Sequence, residues 1–151
     1  LGTTLKAAGS KAEQWKIDYD YQYQFAKAAR ENQVKNYVLV SSQGASAKSR
    51  VFYTKMKGQL EDAVIKLKFT LLSIFNPPIL IRHNSDRLGE KIGVNIIKVF
   101  NKIGLLLSLK PLSTRMLAQA MIGAAKNNKS NFAFFKSKEI WQLVGEMGNE
   151  Q

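Results

Sequence analysis

Two short apolar runs on either side of a helical pattern give the strongest signal in this chain. Residues 37–42 and 69–75 are apolar on both faces, which is typical of parallel strands covered by helices on each side. Between them, over residues 53–68, apolar side chains recur at the spacing of one helical face. Strand, helix and strand in this order predict an α/β protein with a parallel sheet.

Further helices are predicted before and after this unit. A helix over 21–31 has Asp18 and Asp20 as N-cap candidates, and Asn32 is expected to end it in the left-handed conformation. The downstream pattern predicts a short strand over residues 131–135 and three helices, over residues 93–107, 114–126 and 138–147. An interfacial membrane helix is the alternative for 93–107, because lysines accompany its apolar stripe.

The first predicted strand ends in hydroxyl side chains and leads to a Tyr-x-x-x-Lys pattern. Tyr53 and Lys57 are four residues apart, so they share one face of the predicted helix and point to the space beyond Ser42. A neighbouring ammonium lowers the pKa of a phenol from its ordinary value near ~10. We therefore expect Tyr53 to transfer a proton near neutral pH while Ser42 holds a substrate carbonyl oxygen. A surface Tyr and Lys on an ordinary amphipathic helix is the other interpretation.

These residues, in this order, resemble the active-site half of the short-chain dehydrogenase/reductase family. Segments 1–4, 8–10, 38–45, 53–58, 76–80 and 87–90 are similar to the atypical NAD(P)H-binding branch that includes the Tat-interacting-protein-type oxidoreductases. The resemblance runs nearly end to end. It implies a Rossmann-like, doubly wound parallel sheet and an NAD(P)-dependent oxidoreductase that acts on a carbonyl or alcohol substrate. The implied cofactor is NADP or NAD, with NADP favoured.

The resemblance also implies the site residues. Ser42, Tyr53 and Lys57 are the expected catalytic residues, and Lys57 is also expected to bond the nicotinamide ribose. The expected cofactor contacts are Gly2, Thr3, Ser41, Tyr53, Lys57, Asn76, Pro77 and Ile79. The chain departs from the family at Asn76, where an Arg is usual, and around Arg82 and His83, which leaves substrate specificity and cofactor grip open.

No Gly-rich phosphate loop of the dinucleotide-binding kind occurs in the sequence. By the resemblance, the 151 residues are the C-terminal part of a single NAD(P)-binding domain and lack its N-terminal strands. We therefore expect weak dinucleotide binding. We also expect association through the truncated face, because apolar side chains around Phe25 and Leu60 would lack part of their cover.

Composition narrows the function classes. The chain has no Cys and one His, His83, which excludes disulfides and a zinc site of the usual type, and neither a Ser-His-Asp triad nor a metal site is predicted. The net charge is +12, and nine Lys or Arg but no acidic residue lie between Lys91 and Lys138. The bases are scattered singly, so we interpret them as a solvated basic surface without a specific nucleic-acid partner.

Three function hypotheses remain open at this point. The first is the oxidoreductase, and the second is a dinucleotide-binding regulatory or assembly protein without turnover. The third is a basic surface that binds nucleic acid or an anionic membrane. Ser42, Tyr53 and Lys57 together favour the first, because a binding module needs no proton donor. No run reaches the roughly 20 apolar residues of a spanning helix and no signal peptide is recognisable, so we predict a cytoplasmic protein.

Overall fold

The computed structural model describes residues 2–81, 112–127 and 130–148. Its helices are α1 (Leu5–Ala8), α2 (Lys11–Trp15), a π-helical segment (Lys16–Asp20), α3 (Tyr21–Glu31), α4 (Phe52–Ile65), α5 (Thr114–Asn127) and α6 (Ser137–Gly148). Its strands are β1 (Asn36–Val40), β2 (Leu71–Asn76), β3 (Leu80–Ile81), β4 (Leu112–Ser113) and β5 (Phe132–Lys136).

The described strands form two parallel sheets. The larger has three strands in the order β1-β2-β5, and β3 pairs with β4 in the smaller one. Val40 lies opposite Phe75 in the larger sheet, and Asn76 lies opposite Lys136. Parallel neighbours need a long crossover, which α4 supplies between β1 and β2. The predicted α/β class with a parallel sheet flanked by helices is confirmed.

Helices cover both faces of the three-stranded sheet. On one face, α3 and α4 bury a core with the sheet that consists of Ala26, Tyr37, Leu39, Leu60, Val64, Phe69, Leu72 and Ile74. On the other face, α5 and α6 bury a second core that consists of Phe75, Leu112, Leu117, Ala120, Ala124 and Ile140. Stacked rings extend each core across neighbouring elements, Tyr37 on Phe69 and Phe75 on Phe135, each at 4.6 Å between centroids.

The predicted caps of α3 are wrong. α2, the π-helical segment and α3 follow one another without a break, so the backbone N–H of Tyr21 donates to the carbonyl of Lys16 and needs no side-chain cap. Asp18 turns into the protein instead. At the other end, Asn32 has φ −85°, and Gln33 takes the left-handed conformation with φ 60°.

The structure also tests the predicted downstream elements and the predicted uncovered apolar face. The strand over 131–135 and the helices over 114–126 and 138–147 are confirmed within about two residues. The helix over 93–107 and the segments around Arg82, His83 and 87–90 lie outside the described residues.

An uncovered apolar face is confirmed at Phe25, which is 68 % exposed, and is wrong at Leu60, because the sheet and α3 bury it completely.

The loop between β1 and α4 packs against its own helix at Gly58. A methyl group on Gly58 would overlap the backbone of Ser46 and Ala47. The Ser46 N–H also donates to the carbonyl of Thr54 at 3.0 Å, which fixes the loop one turn earlier on α4. Glycine is therefore required at this position for close approach rather than for its backbone freedom.

We expect Gly58→Ala to lower the free energy of unfolding by about 1–3 kcal/mol, because the loop must move away from α4 to admit the methyl group. Urea denaturation followed by circular dichroism measures this change.

Gly145→Ala is the matched control. Gly145 also lies within a helix, but no atom lies within 4 Å of the position that its Cβ would take. Its substitution should raise the free energy of unfolding by about 0.5–1 kcal/mol through helix propensity alone. Equal effects of the two substitutions would show that the loop does not press on Gly58.

Candidate functional site

The carboxyl ends of β1 and β2 meet in a polar rim, which we define as Ser41, Ser42, Asn76 and Pro77. The Ser41 N–H donates to the Phe75 carbonyl at 2.8 Å, and this bond continues the strand pairing one residue beyond β1. Asn76 Nδ2 donates to the Ser42 carbonyl at 3.1 Å. The Gln43 N–H donates to the Pro77 carbonyl at 3.2 Å, so the turn after β2 is tied to the loop after β1.

Asn76 links this rim to α4. Its Nδ2 also donates to Glu61 Oε1 at 2.6 Å, and both side chains are buried at 7 % exposure. Two side-chain atoms of the rim, Ser41 Oγ and Asn76 Oδ1, are buried without a hydrogen-bond partner. Most buried polar atoms in proteins are paired, so the rim holds unused hydrogen-bonding capacity.

A stripe of polar side chains on the α2–α3 stretch faces α4. The stripe consists of Gln14, Asp18 and Gln22, which are spaced four residues apart. Asp18 is 1 % exposed, and its two carboxylate oxygens accept from the Thr3 N–H at 3.0 Å and from Gln14 Nε2 at 3.4 Å. Gln14 Nε2 also reaches the Thr3 carbonyl at 3.3 Å. The stripe thus anchors the segment around Thr3 next to α4.

Lys57 carries its charge into this interior. It is 4 % exposed, and its ammonium donates to Gln22 Oε1 at 3.2 Å. Burial lowers the pKa of Lys57 from its ordinary value, while the carboxylates of Asp18 and Glu61 act in the opposite direction and favour the charged form. Lys57 is therefore an oriented hydrogen-bond donor beside the rim.

Tyr53 lies one helical turn before Lys57, but its electrostatics differ from the expectation. Partial burial raises the pKa of Tyr53, Asp18 raises it further, and a hydrogen bond with the Ser42 side chain opposes these effects only in part. The predicted lowering of this pKa by Lys57 is wrong, because desolvation and a carboxylate dominate the surroundings of the phenol. At neutral pH Tyr53 is a neutral phenol.

The structure brings most of the predicted site residues together. The Ser42 side chain lies close enough to the Tyr53 phenol to lower its pKa against the effect of burial, and Lys57 follows one turn later on the same helix. Gly2 and Thr3 join them through Asp18, since a Cβ on Gly2 would lie 3.4 Å from its carboxylate. Ile79 does not join the other predicted site residues. Its carbonyl accepts a hydrogen bond from the Leu112 N–H, at the smaller sheet. The roles of all these residues toward a ligand stay predictions.

Four polar residues of this site were not predicted to belong to it: Gln14, Asp18 and Glu61, which are buried, and Gln22, which is half-buried. A signal for three of them was present in the sequence, because Gln14, Asp18 and Gln22 recur every four residues among aromatic neighbours. Such spacing places polar groups on one helical face. Glu61 follows Lys57 at the same interval, but nothing in the sequence marks its partner Asn76.

The described part of the chain shows neither a membrane-spanning helix nor a cluster of metal-binding side chains. No helix there is long and apolar enough to span a membrane. No group of three or more His, Asp or Glu side chains in those ranges is arranged to hold a metal ion.

Comparison with known proteins assigns the chain to a family. It is 36% identical to Protein FMP52-1, mitochondrial, of Scheffersomyces stipitis, over 97% of this chain and 68% of that protein. The chain belongs to the FMP52 family. It is 48% identical to the Emericella nidulans protein fmp52, mitochondrial, and 35% identical to FMP52, mitochondrial, of Lodderomyces elongisporus. It spans 63% and 64% of the lengths of these two relatives. No family model matches the chain.

Three predictions are corrected by these relatives. The resemblance to short-chain dehydrogenase/reductases led to a wrong assignment, and the oxidoreductase function drawn from it is wrong, because the relatives over nearly the whole chain are FMP52 proteins. The alternative regulatory or assembly function gains no specific support from their names. The cytoplasmic prediction is wrong as well, because these FMP52 relatives are named mitochondrial, as is that of Saccharomyces cerevisiae.

We expect Asp18→Asn to lower the free energy of unfolding by about 1–3 kcal/mol, because an amide cannot accept both the Thr3 N–H and Gln14 Nε2 bonds. Chemical denaturation of the wild type and of Asp18→Asn at pH 7 measures the difference in their free energies of unfolding. Asp20→Asn, an exposed change of the same type, should stay within about 0.5 kcal/mol. Equal losses in the two variants would contradict the buried role of Asp18.

We expect the Tyr53 phenol to ionise above pH 10, its ordinary value. The folded state holds this proton more tightly than the unfolded state, so the stabilising contribution is present below pH 10 and is lost as the pH rises through the folded value. Burial also raises the pKa of Tyr19 and Tyr37. The alkaline absorbance titration of tyrosinate must therefore be compared between the wild type and Tyr53→Phe. If Tyr53→Phe removes a tyrosinate transition that lies below pH 10 in the wild type, the pKa of Tyr53 is lowered, and the Lys57 ammonium dominates it after all.

Proposed function

We propose that the parallel sheet belongs to a Rossmann-like fold and that its polar rim binds a pyridine dinucleotide, NADP or NAD, with NADP favoured. Open α/β sheets bind ligands beyond the carboxyl ends of their strands. The rim lies at this edge of β1 and β2, where Ser41 and Asn76 follow or end adjacent strands. The proposal concerns binding by this site and assigns no reaction to it.

The unused atoms of the rim carry this proposal. Ser41 Oγ and Asn76 Oδ1 are both buried without a partner at neighbouring strand ends. An unpaired buried polar atom costs about 1–3 kcal/mol, and a bound polar group that pairs with both atoms recovers part of this cost. Two such atoms side by side favour a ligand with more than one hydrogen-bonding group.

The charges around the rim support a ligand that combines hydroxyl groups with phosphates. The Lys57 ammonium is a preoriented donor for ribose hydroxyls, and the neutral phenol of Tyr53 is a second donor at the same helical face. The chain carries a net charge of +12, which attracts anionic ligands. Gly2 and Thr3, held by Asp18, are proposed to border the ligand from the other side.

We also place this function in mitochondria, because the FMP52 relatives from four fungi are named as mitochondrial proteins. A dinucleotide ligand is compatible with that compartment. The absence of a specific nucleic-acid partner and association through the face around Phe25 remain predictions.

We expect NADP⁺ or NAD⁺ to produce saturable chemical-shift changes in the NMR spectrum of the 151-residue chain, and we expect Lys57→Ala to weaken this binding by about tenfold or more. The magnitude follows from loss of a buried, charged hydrogen-bond donor. NMR titration is suited to the measurement because it also detects weak binding.

Lys55→Ala is the matched control, since Lys55 is exposed on the same helix and its removal changes the net charge equally. It should weaken binding by less than about threefold. Equal weakening in both variants would point to diffuse charge attraction and not to a built site. The proposal fails if neither dinucleotide causes a saturable change in the wild-type spectrum.

A further inference from the structure

The side-chain amide of Asn76 has one orientation. Its Nδ2 lies 2.6 Å from Glu61 Oε1 and 3.1 Å from the Ser42 carbonyl. A carbonyl and a carboxylate oxygen only accept, so the NH₂ group must face both of them. The two N–H bonds of the amide are thereby used, and Asn76 Oδ1 is left buried without a partner. A group that pairs with this oxygen must donate a hydrogen.

Ser41 offers the complementary group next to it. Val40 pairs with Phe75 and the Ser41 N–H donates to the Phe75 carbonyl, so Ser41 lies beside Asn76 on the adjoining strand. Neighbouring strands are about 4.8 Å apart. Ser41 is 6 % exposed, and its Oγ, which can donate as well as accept, is also unpartnered. The rim thus presents a fixed acceptor beside a hydroxyl donor.

We propose that Ser41 and Asn76 form a recognition pair for a primary carboxamide, in which Asn76 Oδ1 accepts from the ligand NH₂ and the Ser41 hydroxyl donates to the ligand carbonyl. The inference rests on the proposed function, because the nicotinamide ring of NADP and NAD carries such a carboxamide. Glu61 is a positioning residue, because its carboxylate holds the Asn76 amide in the orientation that directs Oδ1 to the ligand.

Replacing one group of the ligand tests this pair. The 3-acetylpyridine analogue of NADP⁺ has a methyl group where the carboxamide has NH₂, and it retains the carbonyl. The wild-type chain should bind this analogue about tenfold more weakly than NADP⁺, or weaker still, because Asn76 Oδ1 then loses its donor. NMR titration with both compounds gives the ratio of the two dissociation constants, which we call the carboxamide ratio.

Variants of the chain then show which residues produce the carboxamide ratio. Asn76→Ala should bring the carboxamide ratio close to one, since the acceptor is gone. Ser41→Ala is the matched control: it removes a bond to the carbonyl that both compounds share, so both should bind more weakly while the ratio stays at about tenfold. Glu61→Gln keeps the shape of the side chain but can turn an NH₂ group toward Asn76, so the ratio should fall below about threefold.

The outcomes separate the two proposals. If NADP⁺ and its analogue bind equally to the wild type, a buried water satisfies Asn76 and the inference is overturned, while dinucleotide binding stands. A ratio of about ten that survives both Asn76→Ala and Glu61→Gln also overturns it. If Asn76→Ala does not fold, the wild-type and Glu61→Gln ratios decide.

If neither dinucleotide binds, the proposed function fails, and the pair is tested with the free ring compounds. Nicotinamide should then shift the side-chain amide resonances of Asn76 while 3-acetylpyridine does not. An equal response, or none, overturns the carboxamide inference.

Discussion

The buried ammonium of Lys57 is the constraint on which the arrangement of the site depends. An unpaired charge is too costly to bury, so the α2–α3 stretch must bring an acceptor and a carboxylate to α4. Gln22 provides the acceptor and Asp18 the charge, with Glu61 on the same helix as Lys57. The packing of these helices on one face of the sheet is therefore tied to electrostatics as well as to the apolar core.

Parallel strand pairing explains why the unused polar atoms collect in one place. Backbone bonds between β1 and β2 satisfy the main chain, and the side chains at the ends of these strands are left to the loops. The close contact of residues 46 and 47 with Gly58 keeps the loop after β1 on α4. Ser41 and Asn76 are consequently buried by the surrounding chain without being satisfied by it. A site of this kind is built from backbone geometry first and from side-chain chemistry second.

The sequence was sufficient for the unit from β1 to β2, because its periodicity reflects burial on both sheet faces. The sequence did not predict the buried position of Asp18, because a carboxylate near a helix start has the same local pattern whether it caps the helix or turns inward. The Tyr-x-x-x-Lys spacing correctly placed two side chains on one helical face, yet it contains no information on their partners. Lys57 bonds Gln22, 35 residues earlier in the chain, and Tyr53 responds to burial and to Asp18.

The π-helical segment has a consequence for how this chain can vary in length. It lies between Gln14 and Gln22, so the polar stripe spans a stretch in which the helix is wound more widely than an α-helix. Each residue of an α-helix turns the chain by about 100°. A π-helical turn closes with i→i+5 bonds, so it holds one residue more than the α-helical turn it replaces. Deleting one residue between 16 and 20 can therefore convert it to an α-helical turn while the Thr3 anchor and the Lys57 partner keep their relative direction. This helical stretch can thus absorb a one-residue change in length, a tolerance otherwise typical of exposed surface turns.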